Sequence, residues 1–154
     1  MTRAKILLAL VILLLPVELA SSESDQQKNI QQLVSAKTIR IKLNEGFATE
    51  WKNNRFDSKK DKWDTEILID SIDIKNNTAR MVGNQGAGNC TVIVTPEAFN
   101  ILDQSPSGNL FLLTIFPTLN SDGKYCVVYS RHMNLMGPLP SQYYGFAEIL
   151  PQTE

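Results

Sequence analysis

The sequence Thr38–Leu43, TIRIKL, alternates polar and apolar side chains without a break. Isoleucine or leucine occupies positions 39, 41 and 43, and threonine, arginine or lysine occupies positions 38, 40 and 42. Successive side chains of a β-strand point to opposite faces, so this period of two predicts a half-buried strand with one solvated face. It is the clearest strand signal in the chain, and we expect Glu45 and Gly46 to form a turn after it.

Strand-like runs continue toward the C-terminus, separated by clusters of Asn, Gly, Pro and Ser that are typical of turns. The runs lie at Phe47–Trp51, Thr65–Ile74, Thr78–Val82, Cys90–Thr95, Asn109–Phe116, Tyr125–Arg131 and Gln142–Leu150. Two further segments do not show a regular strand pattern. Residues 52–62 hold no aliphatic side chain and are predicted to form a long hydrated loop, and Pro96–Gln104 is predicted to form a short helix or a kinked strand.

Many short strands with one or two short helices predict a single small antiparallel β-barrel of about eight strands, or a β-sandwich. Closure into a barrel is favoured, because the hairpin-like connections leave little room for long crossovers and a closed sheet has no exposed edges. In strand number and length the layout resembles that of the lipocalins. The Gly-x-Trp motif typical of that family is absent, since Gly46 is followed by Phe47 and Ala48.

The N-terminus has the three-part layout of a secretory signal peptide. Basic Arg3 and Lys5 precede an apolar run that ends at Pro16, and small residues follow at Ala20 and Ser22. The run is shorter than the roughly 20 residues that span a bilayer. We therefore expect a signal peptide over residues 1–22, a polar tail or short helix over 23–36, a β domain over 37–154, and a secreted or periplasmic protein without a stable membrane anchor.

Charge and composition exclude several classes of partner. The chain of 154 residues has 15 basic and 16 acidic residues and a formal net charge of −1. A nucleic-acid-binding protein normally shows a concentrated basic excess, so no nucleic acid is expected as a partner. No residue pattern indicates a cofactor or a metal site, and the sequence leaves the oligomeric state open.

Cys90 and Cys126 are the two cysteines of the chain. In an exported protein an even number of cysteines favours a disulfide, so we expect a Cys90–Cys126 bridge. The alternative is a pair of buried free thiols that behave as small hydrophobic side chains.

Aromatic and basic residues near the predicted strand ends are the candidate ligand-binding residues. They are Trp51, Trp63, Arg131, His132, Tyr143 and Tyr144. We expect them to border the mouth of the barrel, together with segments 52–62, 84–89 and 133–140. Large aromatic side chains supply much of the binding energy where they anchor a pocket.

The sequence offers no catalytic residues, because a lone histidine without a nucleophile motif rarely marks an active site. The leading hypothesis is an exported binding module for a small apolar ligand or a protein partner. An exported enzyme or enzyme inhibitor, and a structural component of an envelope or extracellular assembly, are the alternatives. Asn76, in the sequence Asn76-Asn77-Thr78, is a glycosylation acceptor if the source is a eukaryote.

Overall fold

A computed structural model describes residues 25–84 and 86–151. The predicted signal peptide and its cleavage site after Ser22 lie outside the described residues. The elements are a helix, α1, over residues 25–35, and nine strands: β1 Ile39–Lys52, β2 Arg55–Asp61, β3 Thr65–Asp73, β4 Thr78–Gly83, β5 Gly86–Thr95, β6 Ala98–Gln104, β7 Leu110–Leu119, β8 Tyr125–Asn134 and β9 Pro138–Ile149. No helix in this part of the chain is long and apolar enough to cross a membrane.

The strands form one antiparallel sheet that closes on itself, which confirms the predicted β-barrel. Neighbours along the sheet run in the order β2-β1-β3-β4-β5-β6-β7-β8-β9, and a β1–β9 ladder completes the circle. Eight strands make the barrel, and β2 is an extra strand that pairs with the distal half of β1. Closure leaves only β2 with a free edge within the described residues.

Strand β1 is continuous where a turn was predicted. A β-bulge between Leu43 and Glu45 keeps the strand paired with β9, and Gly46 then faces the barrel interior opposite Tyr143. A β-carbon on Gly46 would collide with the backbone of Gln142 and Tyr143, so only glycine permits this close approach of β1 and β9. The expected turn at Glu45–Gly46 was wrong because the bulge re-aims the strand without ending it.

The segment predicted to be a hydrated loop is the outer arm of a hairpin. Lys52 pairs with Arg55, and the connecting Asn53 and Asn54 both have positive φ, as a two-residue hairpin turn requires. Strand β2 has no fully buried residue. It therefore lacks the apolar alternation by which a strand is recognised in sequence. Its strand conformation depends on the hydrogen bonds that it makes to β1.

Segment 96–104 is a turn at 96–97 followed by strand β6, and it is not a helix. Residues Thr95 and Ala98 pair across a tight turn, and β6 then runs antiparallel to β5 and β7. Phe99 and Ile101 are fully buried on the interior side. The kinked-strand alternative is therefore the one the structure bears out.

The barrel has two distinct ends. The helix end carries the turns at 74–77, 96–97 and 120–124, and the hairpin end carries the turns at 53–54, 105–109 and 135–137. Helix α1 packs at the helix end, where Ile30 and Leu33 join the core. Asn29 Nδ2 donates to the carbonyl of Pro117 at 2.9 Å, and the Tyr125 hydroxyl donates to Gln32 Oε1 at 2.8 Å.

Side chains fill the centre of the barrel. Those with almost no solvent exposure are Phe99, Leu33, Ile39, Ile41, Leu43, Ile69, Ile101, Leu113, Ile115 and Val92. They come from α1 and from β1, β3, β5, β6 and β7, and further buried residues of β4, β8 and β9 join the same apolar core. Burial of this kind is the main stabilising contribution in a domain of this size.

The expected Cys90–Cys126 disulfide is not formed, and both cysteines are free thiols. Cys90 points into the barrel from β5, whereas Cys126 lies on the outward side of β8 between buried Tyr125 and Val127. Two strands separate β5 from β8 in the sheet. A disulfide needs facing β-carbons, and side chains on opposite sides of the wall cannot provide them.

Candidate functional site

The six candidate residues lie at or toward the hairpin end, but on two sides of the barrel wall. Trp63, Arg131 and Tyr143 face inward, as part of the core or packed against it. Trp51, His132 and Tyr144 are solvent-exposed and lie on the outward side of β1, β8 and β9. The structure therefore brings together two groups of three residues, and the wall of the barrel separates the groups.

The inner group is an aromatic cluster built around Trp63. Its ring lies 4.9 Å from the ring of Tyr143 and 5.6 Å from the ring of Tyr129, measured between centroids. The guanidinium carbon of Arg131 lies 4.8 Å from the Trp63 centroid, within the range of a cation–π contact. Phe111 also stacks on Tyr129, with ring centroids 6.4 Å apart.

Hydrogen bonds hold the inner group in place. The Tyr143 hydroxyl donates to Asp61 Oδ2 at 2.6 Å, and Arg131 Nη2 donates to Met133 Sδ at 2.7 Å. Burial raises the pKa of Tyr143, and the bond to Asp61 raises it further. Burial also raises the pKa of Tyr129 to about 12. These groups stay neutral and packed, so the cluster closes the hairpin end much as α1 closes the helix end.

An open groove of about 450 Å³ lies on the outward side of the wall at the hairpin end. The β1–β2 hairpin forms one side of it, with Phe47, Thr49 and Ser58. Strands β8 and β9 form the floor and the other side, with Ser130, Arg131, His132, Pro140, Ser141 and Gln142. We call this the hairpin groove, and its size is that of a small-ligand site.

The chemistry of the hairpin groove is mixed and lacks carboxylates. Phe47 is 43% exposed and provides an apolar side, and Gln142 and His132 are exposed polar groups. The Thr49 and Ser58 hydroxyls share a hydrogen bond of 2.7 Å across the hairpin. The lining can therefore contact an apolar surface and donate or accept several hydrogen bonds.

Two exposed aromatic residues stand beside the groove. Trp51 and Phe56 pair across the tip of the β1–β2 hairpin with ring centroids 4.8 Å apart, and they are 46% and 57% exposed. Trp51 shares the outward face of β1 with Thr49, which lines the groove. An aromatic pair left in solvent next to a concavity is available for contact with a ligand.

The described residues do not form a recognisable catalytic constellation. His132 makes no side-chain hydrogen bond within residues 25–84 and 86–151, so no carboxylate orients its ring and no hydroxyl is activated by it. No group of three or more His, Cys, Asp or Glu side chains in the same part of the chain could hold a metal ion.

A second concavity, of about 280 Å³, lies on the outer wall near the helix end. Arg40 bridges Glu148 at 3.2 Å and Glu66 at 3.5 Å, and Lys124 lies 3.8 Å from Glu148. The charges of both signs neutralise one another. This concavity is therefore a surface ion-pair network with no preference for a charged ligand.

Sequence reasoning expected segment 52–62, which holds Ser58, near the site, but it missed the groove residues Phe47, Thr49, Ser130, Ser141 and Gln142. The signal that could have found Phe47 and Thr49 is the pair Asn53-Asn54, which is well suited to a two-residue hairpin turn. Folding the chain at that turn places Thr49 opposite Ser58. Gln142 could not be found in this way, because β9 reaches β1 only through closure of the barrel.

The predicted glycosylation acceptor, Asn76, is exposed in the turn at 74–77 of the helix end. Its side-chain amide donates to Asp73 Oδ2 at 2.7 Å, and its backbone N–H donates to Asp73 Oδ1. These bonds hold the turn between β3 and β4. Asn76 thus lies at the end of the barrel opposite the hairpin groove.

No protein-family model matches the sequence, and a comparison with curated proteins gives no match. The function is therefore inferred from the residues and their geometry.

Proposed function

We propose that this protein is a non-enzymatic binding module that holds a small amphipathic ligand in the hairpin groove. The observation that carries the proposal is an open groove of about 450 Å³ with an exposed aromatic side, several hydroxyl and amide groups, and no carboxylate in its lining. An apolar part of the ligand would pack on Phe47 and Pro140. A polar part would hydrogen-bond to Gln142 and His132.

The groove is a better candidate than the barrel interior. A ligand inside the barrel would have to displace side chains such as Phe99 and Leu113, which are fully buried and packed against their neighbours. Interiors of folded proteins are close-packed, and the loss of the packing of one large buried side chain costs roughly 2 to 5 kcal/mol when it is measured by substitution with alanine. The groove needs no such rearrangement, because it already lies open to solvent.

An enzymatic function has less support. His132 lies in the groove without an orienting partner among the described residues, and general acid–base catalysis requires a positioned proton donor or acceptor. The hydroxyls of Thr49 and Ser58 bond to one another and not to a base. The groove can therefore hold a ligand more readily than it can activate one.

The test is a titration with 1-anilinonaphthalene-8-sulfonate, a fluorescent probe that has an aromatic body and an anionic group. We expect one probe per chain and about a tenfold weaker affinity for Phe47→Ala, equivalent to the loss of about 1.4 kcal/mol. The matched control is Phe146→Ala, because Phe146 is an outward phenylalanine of similar exposure, 38%, that lies outside the groove. Absence of saturable binding, or equal weakening by both variants, would overturn the proposal.

Export is proposed on the strength of residues 1–22. The basic start, the apolar run ending at Pro16 and the small residues at Ala20 and Ser22 support cleavage after Ser22. N-terminal sequencing of protein recovered outside the producing cytoplasm tests this. A sequence that starts at Glu23 is expected, and one that starts at Met1 contradicts the proposal.

A further inference from the structure

Strand β2 has a neighbouring strand on one side only. It pairs with residues 46–52 of β1, and no strand within the described residues lies along its other side. Its seven residues are all exposed or half-buried. An exposed strand edge presents unpaired N–H and C=O groups, and another strand can add to it by main-chain hydrogen bonds. The open edge of β2 can therefore accept a strand from another chain.

The pairing with β1 determines which backbone groups of β2 point to the open edge. Lys52 and Arg55 flank the two-residue turn 53–54, so they form a hydrogen-bonded pair. Hydrogen-bonded and non-hydrogen-bonded pairs alternate along an antiparallel ladder. Thr49 and Ser58 then form a non-hydrogen-bonded pair, in which side chains approach more closely, and their hydroxyls are 2.7 Å apart. The residues whose N–H and C=O groups point to the open edge are Phe56, Ser58 and Lys60.

The charges of β2 are complementary to those of a second β2 that runs in the opposite direction. With Ser58 of the two copies opposite one another, all seven residues of each strand are paired. The pairs are Arg55 with Asp61, Phe56 with Lys60, Asp57 with Lys59, and Ser58 with Ser58. Each charged residue on the inward face is then opposite a residue of the other sign, and such cross-strand pairs are stabilising. On the outward face the lysine lies opposite an aromatic ring, which allows a cation–π contact.

We propose that β2 pairs with β2 of a second copy of this chain, antiparallel and centred on Ser58, so that the sheet continues from one barrel into the next. The three residues that point to the open edge would make about six main-chain hydrogen bonds across the contact. This goes beyond the proposed ligand-binding function and does not depend on it. The contact uses the backbone edge of β2, whereas the hairpin groove uses side chains on its outward face.

The order of the charges favours a second copy, in one register, over an unrelated strand. A two-fold axis at Ser58 places each residue before it opposite the residue at the same distance after it in the other copy. A register centred on the residue before Ser58 would place Asp57 opposite Asp57. A register centred on the residue after it would place Lys59 opposite Lys59. Like charges directly opposite one another destabilise an antiparallel pair, so the register centred on Ser58 is selected.

The experiment is sedimentation velocity of the purified chain at concentrations up to about 1 mM. One strand from each copy makes a small interface, so we expect a reversible dimer whose share rises with concentration. Lys59→Asp and Asp57→Lys each place like charges opposite one another, and each variant alone should associate at least tenfold more weakly than the wild type. An equimolar mixture of the two variants restores opposite charges at both pairs, and it should dimerise.

The matched control for the charge variants is Lys28→Asp. It makes the same change of charge at an exposed position of α1, at the end of the barrel opposite the hairpin. This control should dimerise as the wild type does. Near-UV circular dichroism should show that all of the variants are folded.

A second pair of variants tests the backbone contact. Proline has no N–H to donate, and at position 60 the missing N–H is one that points to the open edge and not to β1. Lys60→Pro should therefore be monomeric. Lys60→Gln also removes the charge but keeps the N–H, and it should remain dimeric.

Four results would overturn the proposal. They are a wild type that is monomeric at about 1 mM, a charge variant that dimerises alone as well as the wild type does, a mixture that stays as monomeric as its components, and a Lys60→Pro protein that dimerises like Lys60→Gln. Probe binding in the hairpin groove is measured independently, so failure of the dimer leaves the ligand proposal to its own test.

Discussion

Arg131 and Trp63 are in contact at the hairpin end of the barrel, with the guanidinium carbon 4.8 Å from the centre of the indole ring. Arg131 comes from β8, and Trp63 comes from the connection between β2 and β3. The contact therefore ties a segment without secondary structure to the barrel wall. Because Trp63 also packs on Tyr129 and Tyr143, it closes the hairpin end with one large side chain.

Arg131→Met should destabilise the protein by about 1 kcal/mol, because a partly desolvated cation–π contact is lost while the apolar stem is kept. Urea unfolding followed by tryptophan emission measures the change. Arg55→Met is the control, since Arg55 is exposed at the start of β2. If the two variants unfold at the same urea concentration, the contact does not stabilise the fold.

Tyr143→Phe should cost about 1.5 kcal/mol, because it removes the hydroxyl that donates to the Asp61 carboxylate at 2.6 Å. Tyr144→Phe is a matched control on the neighbouring residue, whose ring points outward and is 40% exposed. Its unfolding free energy should change by less than about 0.5 kcal/mol. Equal effects in the two variants would show that the Asp61 bond contributes nothing.

Gly145→Ala should destabilise the barrel by about 3 kcal/mol or prevent folding, because the added β-carbon would collide with the backbone of Lys42 and Leu43. Gly88→Ala is the control, since a β-carbon there would meet no atom within 4 Å. Thermal unfolding by circular dichroism compares the two. A Gly145→Ala protein as stable as Gly88→Ala would contradict the close packing of β1 on β9.

Asp70→Asn should lower stability at neutral pH and have little effect in acid. Arg80 donates two hydrogen bonds to Asp70, at 2.8 and 2.7 Å, and these hold the pKa of Asp70 below its usual value. A lowered folded-state pKa contributes stability above the unfolded pKa of about 3.9 and loses it as pH falls through the folded value.

The measurement for Asp70 is urea unfolding of the wild type and the variant at pH 7, 4 and 2.5. The difference between the two proteins should be present in full at pH 7 and should decrease as the pH falls below 4. Asp57→Asn is the control, because its nearest cation, Lys59, lies at 3.7 Å and does not share a bidentate bond. A difference that is constant with pH would show that the substitution acts by another route.

The Cys90→Ala variant should lose less stability at alkaline pH than the wild type does. Burial raises the pKa of Cys90 from 9.0 to about 11, so the unfolded chain loses its thiol proton first. The contribution of the protonated thiol to the free energy of unfolding is fully present below about pH 9. It is lost as the pH rises toward 11, and the loss amounts to at most about 2 kcal/mol. Unfolding at pH 8, 9.5 and 10.5 should show a shallower decline in the variant, and parallel declines would contradict the raised pKa.

The barrel could be predicted where strands alternate polar and apolar residues. The period of two in Thr38–Leu43 correctly placed the start of β1, because the barrel buries one face of that strand. The same rule missed β2, whose seven residues bury none of their side chains fully. Its sequence is that of a solvated segment, and only the hydrogen-bonded ladder to β1 makes it a strand.

The expected disulfide shows a second limit of sequence reasoning. The number of cysteines and the predicted signal peptide both favoured a bridge, and neither depends on the direction of a side chain. Whether Cys90 and Cys126 face one another depends on strand parity and on the number of strands between them. The bulges and turns that set this parity are only partly visible in the sequence.

The six candidate site residues were predicted from their residue types. The fold decided that three of them face the barrel interior and three face solvent. The sequence by itself determined a β-rich chain with aromatic residues near strand ends, because local propensity and alternation act within a few residues. Which of those residues face the core and which face solvent depends on register and closure. Trp63 and Tyr143 became part of the barrel packing, while His132 came to line a groove with Phe47, because β1 meets β9 only when the sheet has closed.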